Sequence, residues 1–259
     1  MKKRSSFAIF KSSLFALFLK EMYDSVGIKK SGYFWLFFDV IFVVLIFAGL
    51  KGYFRDIGIP GLDTVVFLAV DVMAFFFFRT TLQLMTNSFK SNKTLFDYRQ
   101  IKPFDVALST FLFNLYVRVL ATIILLFIGW YLEFDLTIKD FGMVCAAVVW
   151  LAFFSFGLGL LSAILASFFE TWKKLVGYIM LPLLLTSAVF YTVDSLPQAV
   201  REIVLYNPVA HFMEMLHGSY FEVLDTQYVD YTYMMYWTIV PFFIALLLYR
   251  KTEKGIIAS

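Results

Sequence analysis

The sequence predicts an all-α, polytopic membrane protein. It has six transmembrane helices, an N-terminal interfacial helix and short re-entrant helices on the external side. Three observations carry this. Of 259 residues, 61% are hydrophobic and only 16% charged, against about 25% charged in a soluble domain. The apolar runs are continuous rather than alternating, which excludes a strand-built barrel. Several of them reach the roughly 20 residues that a helix needs to cross a bilayer.

Six segments qualify as spans, at 33–50, 62–83, 104–132, 141–168, 173–193 and 231–249. The third and fourth exceed the bilayer thickness at about 1.5 Å per residue, so they tilt or project into water. The intervening segments set the orientation. Lys2, Lys3, Arg4, Lys11, Lys20, Lys29, Lys30, Lys90, Lys93, Arg99, Lys102, Lys173, Lys174, Arg250, Lys251 and Lys254 fall on one side. Lys51, Arg55, Lys139 and Arg201 fall on the other. Sixteen against four places both termini in the cytoplasm by the positive-inside rule. The organisation is then a cytoplasmic N-terminus over 1–30, a membrane domain over 31–250 and a cytoplasmic tail over 251–259.

Three segments outside the spans are unusual. In residues 5–25, Phe7, Phe10, Leu14, Leu17 and Phe18 share one helical face beside Lys3, Arg4, Lys11 and Lys20, which suits a helix lying on the inner leaflet. Residues 86–103 form a polar cytoplasmic segment that stops at Pro103. It is long for a turn between helices, and docking of a soluble partner would explain it. Residues 194–230 are too apolar for a free loop and too interrupted to span; Pro197 and Pro208 divide them. Short helices dipping into the membrane fit, because irregular backbone is tolerated there only when protein or a cavity shields it.

Within the spans, Ser155, Gly159, Ala163 and Ser167 recur four apart. Such a face admits another helix at close range, either within the chain or across a dimer seam. Cys145, the one cysteine, sits in an apolar run and reads as a small buried hydrophobe. Asp39, Asp71, Arg79 and Arg118 lie inside spans, each at a cost of about 2.5–3.5 kcal/mol at a helix centre. Depth counted from the span ends pairs Asp39 with Arg79 near the cytoplasmic face, and Asp71 with Arg118 near mid-membrane. Structural ion pairs and a polar path for an anionic substrate both remain open. Aromatics near the two faces either form interfacial belts or line a path, where flat rings stack on a passing cargo. Tyr33, Trp35, Phe37 and Phe38 near the inner mouth are therefore channel candidates alongside Asp71, Arg79 and Arg118; Tyr191, Tyr206 and Tyr220 are candidates outside.

Several phrases resemble the type-2 ABC transporter permeases, specifically the inner-membrane permeases that export capsular polysaccharide. They are Lys20-Glu21 with Gly27, Gly32-Tyr33-Phe34-Trp35 and Asp39; then Asn92-Lys93, Leu95, Tyr98 and Gln100-Ile101-Lys102-Pro103-Phe104-Asp105; then Val189-Phe190-Tyr191, Asp194, Leu196-Pro197, Arg201, Tyr206-Asn207-Pro208, His211, Glu214, Gly218 and Tyr220-Phe221. Val40 stands where the family tends to have proline, Ser109 and Asn114 where the subgroup often has Arg and Glu, and His217 replaces a common basic residue. The resemblance implies a homodimer bound to two copies of an ATP-hydrolysing subunit. It implies that 86–103 is the coupling helix, with Asn92, Lys93, Leu95, Asp97, Tyr98, Arg99 and Gln100 as contacts. It also implies that 194–222 is a re-entrant external gate built on Tyr191, Leu196, Pro197, Tyr206, Asn207, Pro208, His211, Glu214 and Tyr220. The substrate it implies is a long anionic polysaccharide, often lipid-linked. A periplasmic co-polymerase and an outer-membrane pore would complete a route from the bacterial inner membrane.

No G-x-x-x-x-G-K-[ST] loop occurs, so ATP and Mg belong on the partner subunit and the chain itself carries no cofactor. No catalytic, metal or nucleic-acid site is expected. Other polymers, such as O-antigen or teichoic acid, are alternative cargoes. A membrane enzyme acting on lipid-linked glycans would have to use His211, Glu214 and His217, whose H-x-x-E-x-x-H spacing is not the metalloprotease H-E-x-x-H. A secondary transporter would call for internal repeats, and none is evident.

Overall fold

The computed structural model describes residues 6–26, 62–98 and 100–258, with side-chain surroundings given from Phe10 to Asp24 in the first stretch and to Ile257 in the last. The 33–50 span, Tyr33, Trp35, Phe37, Phe38, Asp39 and Arg99 lie outside the described residues. The described residues form α1 (Ser6–Val26), α2 (Thr64–Ser91), α3 (Pro103–Tyr131), α4 (Phe141–Phe168), α5 (Glu170–Leu185), α6 (Gln198–Leu205), α7 (Pro208–Tyr220) and α8 (Tyr231–Ala258). Two 3-10 turns, Lys93–Asp97 and Val193–Ser195, interrupt the connections. Of these helices α2, α3, α4 and α8 are long and apolar enough to cross a membrane.

Local chemistry sets the helix starts. Asp63 caps α2 by accepting from Val65 N at 2.9 Å, and Asp140 caps α4 by accepting from Met143 N at 3.0 Å. α3 opens on Pro103 with the Asp105 carboxylate turned back to Lys102 N at 3.1 Å. Asn207 caps α7, where Pro208 takes the first helical position.

Three helix lengths differ from the sequence-based spans. α8 runs to Ala258 rather than 249, taking in most of the expected 251–259 tail. α2 runs to Ser91 rather than 83, so its basic end projects beyond the apolar stretch. α5 stops at Leu185 rather than 193. Pro182 interrupts it, and the Thr186 and Ser187 hydroxyls then take carbonyls of the last turn, Pro182 O and Leu183 O, in competition with further backbone pairing. Ala188 follows at φ 57°, in the left-handed region that a β-carbon disfavours. The helix ends there instead of continuing to 193.

α4 is the central helix. Its small face is filled from within the chain: a Cβ on Gly159 would fall 2.5 Å from Met85 Sδ of α2, and one on Gly157 3.0 Å from Phe242 Cβ of α8. Phe78, Phe154 and Phe212 stack across α2, α4 and α7, with centroids 5.5 and 4.8 Å apart. Cys145 is exposed on α4 rather than buried, because it lies on the helix face turned from α2 and α8. The exposed faces of α3 and α8 carry Ile123, Phe127, Trp130, Ile239, Val240 and Phe243. Apolar surface at this density is unfavourable in water and suits lipid or a partner subunit.

Candidate functional site

At the end of the bundle where Lys90, Lys102, Lys173, Lys174 and Lys251 collect, the 93–97 turn links α2 to α3. The backbone closes it with tight bonds, Leu95 N to Asn92 O at 3.0 Å and Tyr98 N to Leu95 O at 3.2 Å. Asn92 is buried: its amide donates to Ser88 O at 3.0 Å and to Glu21 Oε1 of α1 at 3.4 Å. The same Glu21 oxygen accepts from Thr110 of α3 at 3.2 Å. One carboxylate thus ties α1, the turn and α3 together. Phe96 is buried edge-on to Phe89, centroids 6.4 Å apart. Lys93, Thr94, Asp97, Tyr98 and Gln100 face outward. Asn92 therefore anchors the turn instead of presenting a contact surface, and Leu95 is half-buried beside it. Phe96, which sequence reasoning passed over, is the apolar peg; the apolar pair Leu95-Phe96 inside a mostly polar segment was its signal. The predicted coupling helix over 86–103 is the last turns of α2 followed by this short turn. Lys90 closes the flank by donating to Glu170 Oε1 at 2.7 Å, which holds that carboxyl below its ordinary range.

Midway along the bundle, α3 turns a polar line toward α2. Asn114 donates to Thr81 Oγ1 at 2.7 Å, and Arg118 Nη2 to Thr80 Oγ1 at 2.9 Å. Arg118 is buried, with 6% of its surface exposed. Arg79 is half-buried, its guanidinium 5.7 Å from the Phe76 ring centre. It lies about 18 Å from the basic end of α2, not within a few residues of it.

The expected Asp71–Arg118 pair is not formed. Arg118 stands opposite Thr80, nine residues and about 13 Å along α2 from Asp71. Taking α2 to end at 83 had placed Asp71 too deep. The partner of Asp71 is His217 of α7, whose Nε2 is 2.8 and 2.9 Å from the two carboxylate oxygens. His217 Nδ1 lies 3.3 Å from Glu214 Oε1, which also accepts from Val193 N at 2.9 Å. All three side chains are buried, and Phe67 covers the imidazole at 4.7 Å between ring centres. This acid–imidazole–acid chain fixes α7 to α2.

The segment 194–222 is ordered around α7, where every residue from Val209 to Tyr220 is buried. Asn207 donates to Thr186 O at 3.0 Å and Ser187 Oγ at 2.9 Å, holding the end of α5 against the start of α7. His211 Nδ1 accepts from Asp230 N at 3.1 Å, so Nε2 carries the proton toward Leu205 O at 2.9 Å. His211 and His217 thus have separate partners, and among the described residues no group of three His, Cys, Asp or Glu could hold a metal. Tyr191 donates to Leu185 O at 2.8 Å. Leu196 is half-buried; Pro197 and Tyr206 are exposed on either side of α6.

Arg201, not among the expected gate residues, is the hub of the outer segment. It donates to the carbonyls of Val193, Asp194 and Leu196 at 3.2, 2.8 and 3.0 Å, and to Tyr228 Oη at 2.6 Å. Its guanidinium also lies over the Tyr228 ring, 4.6 Å from its centre. Tyr228 in turn donates to Asp194 Oδ1 at 2.9 Å, and that bond raises the phenol above its ordinary range. Arg201 is one of only two arginines, with Arg55, expected on that face, and this scarcity was the available signal.

The described residues thus form an anchored surface turn at one end, a clamped, largely buried segment at the other and polar contacts between them. Comparison with known proteins gives the family. The family model described as ABC-2 type transporter matches residues 12–221. Over 256 residues, and 99% of both chains, the sequence is 27% identical to the polysialic acid transport protein KpsM of Escherichia coli. It is 26% identical to the capsule polysaccharide export inner-membrane protein CtrC of Neisseria meningitidis serogroup A, covering 97% of this chain and 95% of the relative. To the capsule polysaccharide export inner-membrane protein BexB of Haemophilus influenzae it is 24% identical, covering 98% and 96%.

Proposed function

The chain belongs to the ABC-2 type transporter family, and from that membership we propose that it is the membrane-spanning permease subunit of an ATP-driven exporter of capsular polysaccharide. The observation that carries the cargo is the end-to-end similarity to relatives named for polysialic acid or capsule polysaccharide export. The cargo is an anionic, lipid-linked polysaccharide, and the membrane is the bacterial inner membrane with both termini cytoplasmic.

Two copies of the chain pair with two copies of an ATP-binding subunit, which supplies ATP and Mg. The exposed Lys93, Asp97 and Tyr98 meet that subunit, while Asn92, Phe96 and Glu21 pass its movement to α1, α2 and α3. A turn fastened to three helices is stiff enough to push them; a free loop would absorb the motion. On the external side, α6 and α7 form the gate, clamped to α2 by His217 and to the 221–230 loop by Arg201. Arg118 and Arg79 bias the path toward an anion, and a co-polymerase and an outer-membrane pore receive the polymer.

The test is co-purification of the chain with an ABC ATP-binding subunit, followed by ATP turnover in lipid discs. Support is a stable two-plus-two complex whose ATP turnover falls on replacing Asp97 and Tyr98 together. A permease that purifies without the subunit, or turnover indifferent to that replacement, overturns the reading.

A further inference from the structure

Away from the gate and the coupling turn, α2, α3 and α4 enclose a cleft of about 320 Å³. Its walls are almost wholly aliphatic, including Ala69, Met73, Leu115, Leu126, Val144 and Val148. Its origin is the divergence of two helices. At the basic end α3 and α4 are held together by Phe111 and Phe156, with ring centres 5.0 Å apart. Toward the opposite end they part, and the 132–140 connection closes the top. That connection is pinned by Lys139 N to Tyr220 O at 3.0 Å and Asp140 N to Ser219 O at 2.9 Å. Val119, Leu126 and Val148, on the rim, are 50, 41 and 42% exposed. All belong to helices long and apolar enough to cross a membrane, so a lateral opening there would face the acyl-chain region of a bilayer.

Two polar groups reach this apolar space. Arg118 lines the deep part with its stem while its head takes Thr80. Tyr220 lines the top, 5% exposed, and its hydroxyl has no hydrogen-bond partner among the described residues. A buried hydroxyl left unsatisfied costs roughly 1–3 kcal/mol, and this one faces a space that a ligand with an acceptor oxygen can enter. The connection above it carries Glu133, Asp135 and Asp140, all exposed, against Lys139 alone. Lys139 is engaged with Leu224 O at 3.0 Å. Hydrogen bonds from the Thr137 side chain and backbone hold the Asp135 carboxyl below its ordinary range.

We propose that the cleft binds one acyl chain of a zwitterionic, amine-headed phospholipid. The chain fills the space between α3 and α4, and an ester or phosphate oxygen accepts from Tyr220 Oη. The ammonium sits among Glu133, Asp135 and Asp140, which repel an anionic headgroup. The bound lipid fixes the separation of α3 from α4 at the end that also holds α7, so it is a structural ligand of the outer half of the bundle.

The full-length permease, delipidated in detergent, is mixed with equal amounts of phosphatidylethanolamine and phosphatidylglycerol and examined by native mass spectrometry. The expected result is one retained phosphatidylethanolamine per chain, in excess over phosphatidylglycerol. Ala69→Phe fills the cleft and removes the adduct. Val148→Phe narrows its rim and weakens the adduct, and this exposed site tolerates the change if Ala69→Phe fails to fold. Tyr220→Phe lowers retention about fivefold, the worth of one neutral hydrogen bond. Glu133→Lys with Asp135→Lys turns the preference toward phosphatidylglycerol while the adduct persists. Equal retention of both lipids by the unaltered chain, or an adduct unchanged in both Val148→Phe and Tyr220→Phe, overturns the proposal. None of these outcomes depends on the ATP-binding subunit or the polysaccharide.

Discussion

Replacing His217 with alanine tests the buried clamp. The imidazole sits between Asp71 and Glu214 at 2.8 and 3.3 Å, and the two carboxylates are 0% and 4% exposed. His217→Ala leaves both buried acids without the imidazole that bridges them. Breaking a buried pair in this way costs about 3–5 kcal/mol, a hundredfold or more in the folded population. His217→Gln keeps an amide near Asp71 and costs less. The cycle that discriminates joins His217→Gln with Asp71→Asn, which returns a neutral hydrogen-bonded pair. The predicted coupling is at least about 1 kcal/mol, within the range found for residues in direct contact. Arg118→Ala joined with Asp71→Asn should instead be additive within about 0.5 kcal/mol, as for separated sites. Reversible unfolding in mixed micelles, followed by tryptophan emission, measures each corner. Coupling of Asp71 to Arg118 and not to His217 would refute the geometry.

Four other outcomes follow from the same contacts. Phe96→Ala should destabilise the chain by about 3 kcal/mol, as a buried aromatic does, whereas Tyr98→Ala should leave melting unchanged and lower ATP-driven export; comparable melting losses for both would contradict the anchored turn. Gly159→Val should cost roughly 1–3 kcal/mol by overpacking, because its Cβ meets Met85 at 2.5 Å; an unaltered unfolding midpoint would place the small face elsewhere. In a Cys145→Ser background, cysteines at Val204 and Met213 should react slowly with a bulky polar thiol reagent and one at Tyr206 quickly, and uniform labelling would mean that the outer segment is loose. A reporter inserted near Asp225 should read opposite to one near Lys254, and the same side for both would overturn the orientation.

Much of the helical plan was legible because long apolar runs are decided by length and composition. The 141–168 span coincides with α4, and Pro103 opens α3 where a proline belongs. Tertiary and local polar effects decided the rest. No hydropathy window shows that Thr186 and Ser187 end α5 by taking carbonyls of its last turn, nor that α2 continues through Gln83 and Asn87 to Ser91. That second extension moved Asp71 outward and Arg79 inward, and the ion pairs counted from span ends moved with them. In the sequence His217 stands only as a departure from a common basic residue and as the end of the His211–Glu214–His217 spacing, neither of which points to Asp71. That partner lies 146 residues away, on a helix whose depth had been misjudged. The anchoring roles of Asn92 and Arg201 depend equally on contacts across the fold, with Glu21 and Tyr228.

The central claim is that this chain forms the membrane path of an ATP-driven polysaccharide exporter. Its most direct test is reconstitution with the ATP-binding subunit in vesicles, with purified lipid-linked capsular polysaccharide supplied at the coupling-turn side. The account predicts that polymer becomes protected from an added polysaccharide lyase only when ATP is hydrolysed, and that replacing Asp97 and Tyr98 together abolishes protection while the complex stays assembled. Polymer that remains fully digestible during ATP hydrolysis by the unaltered, assembled complex would contradict it.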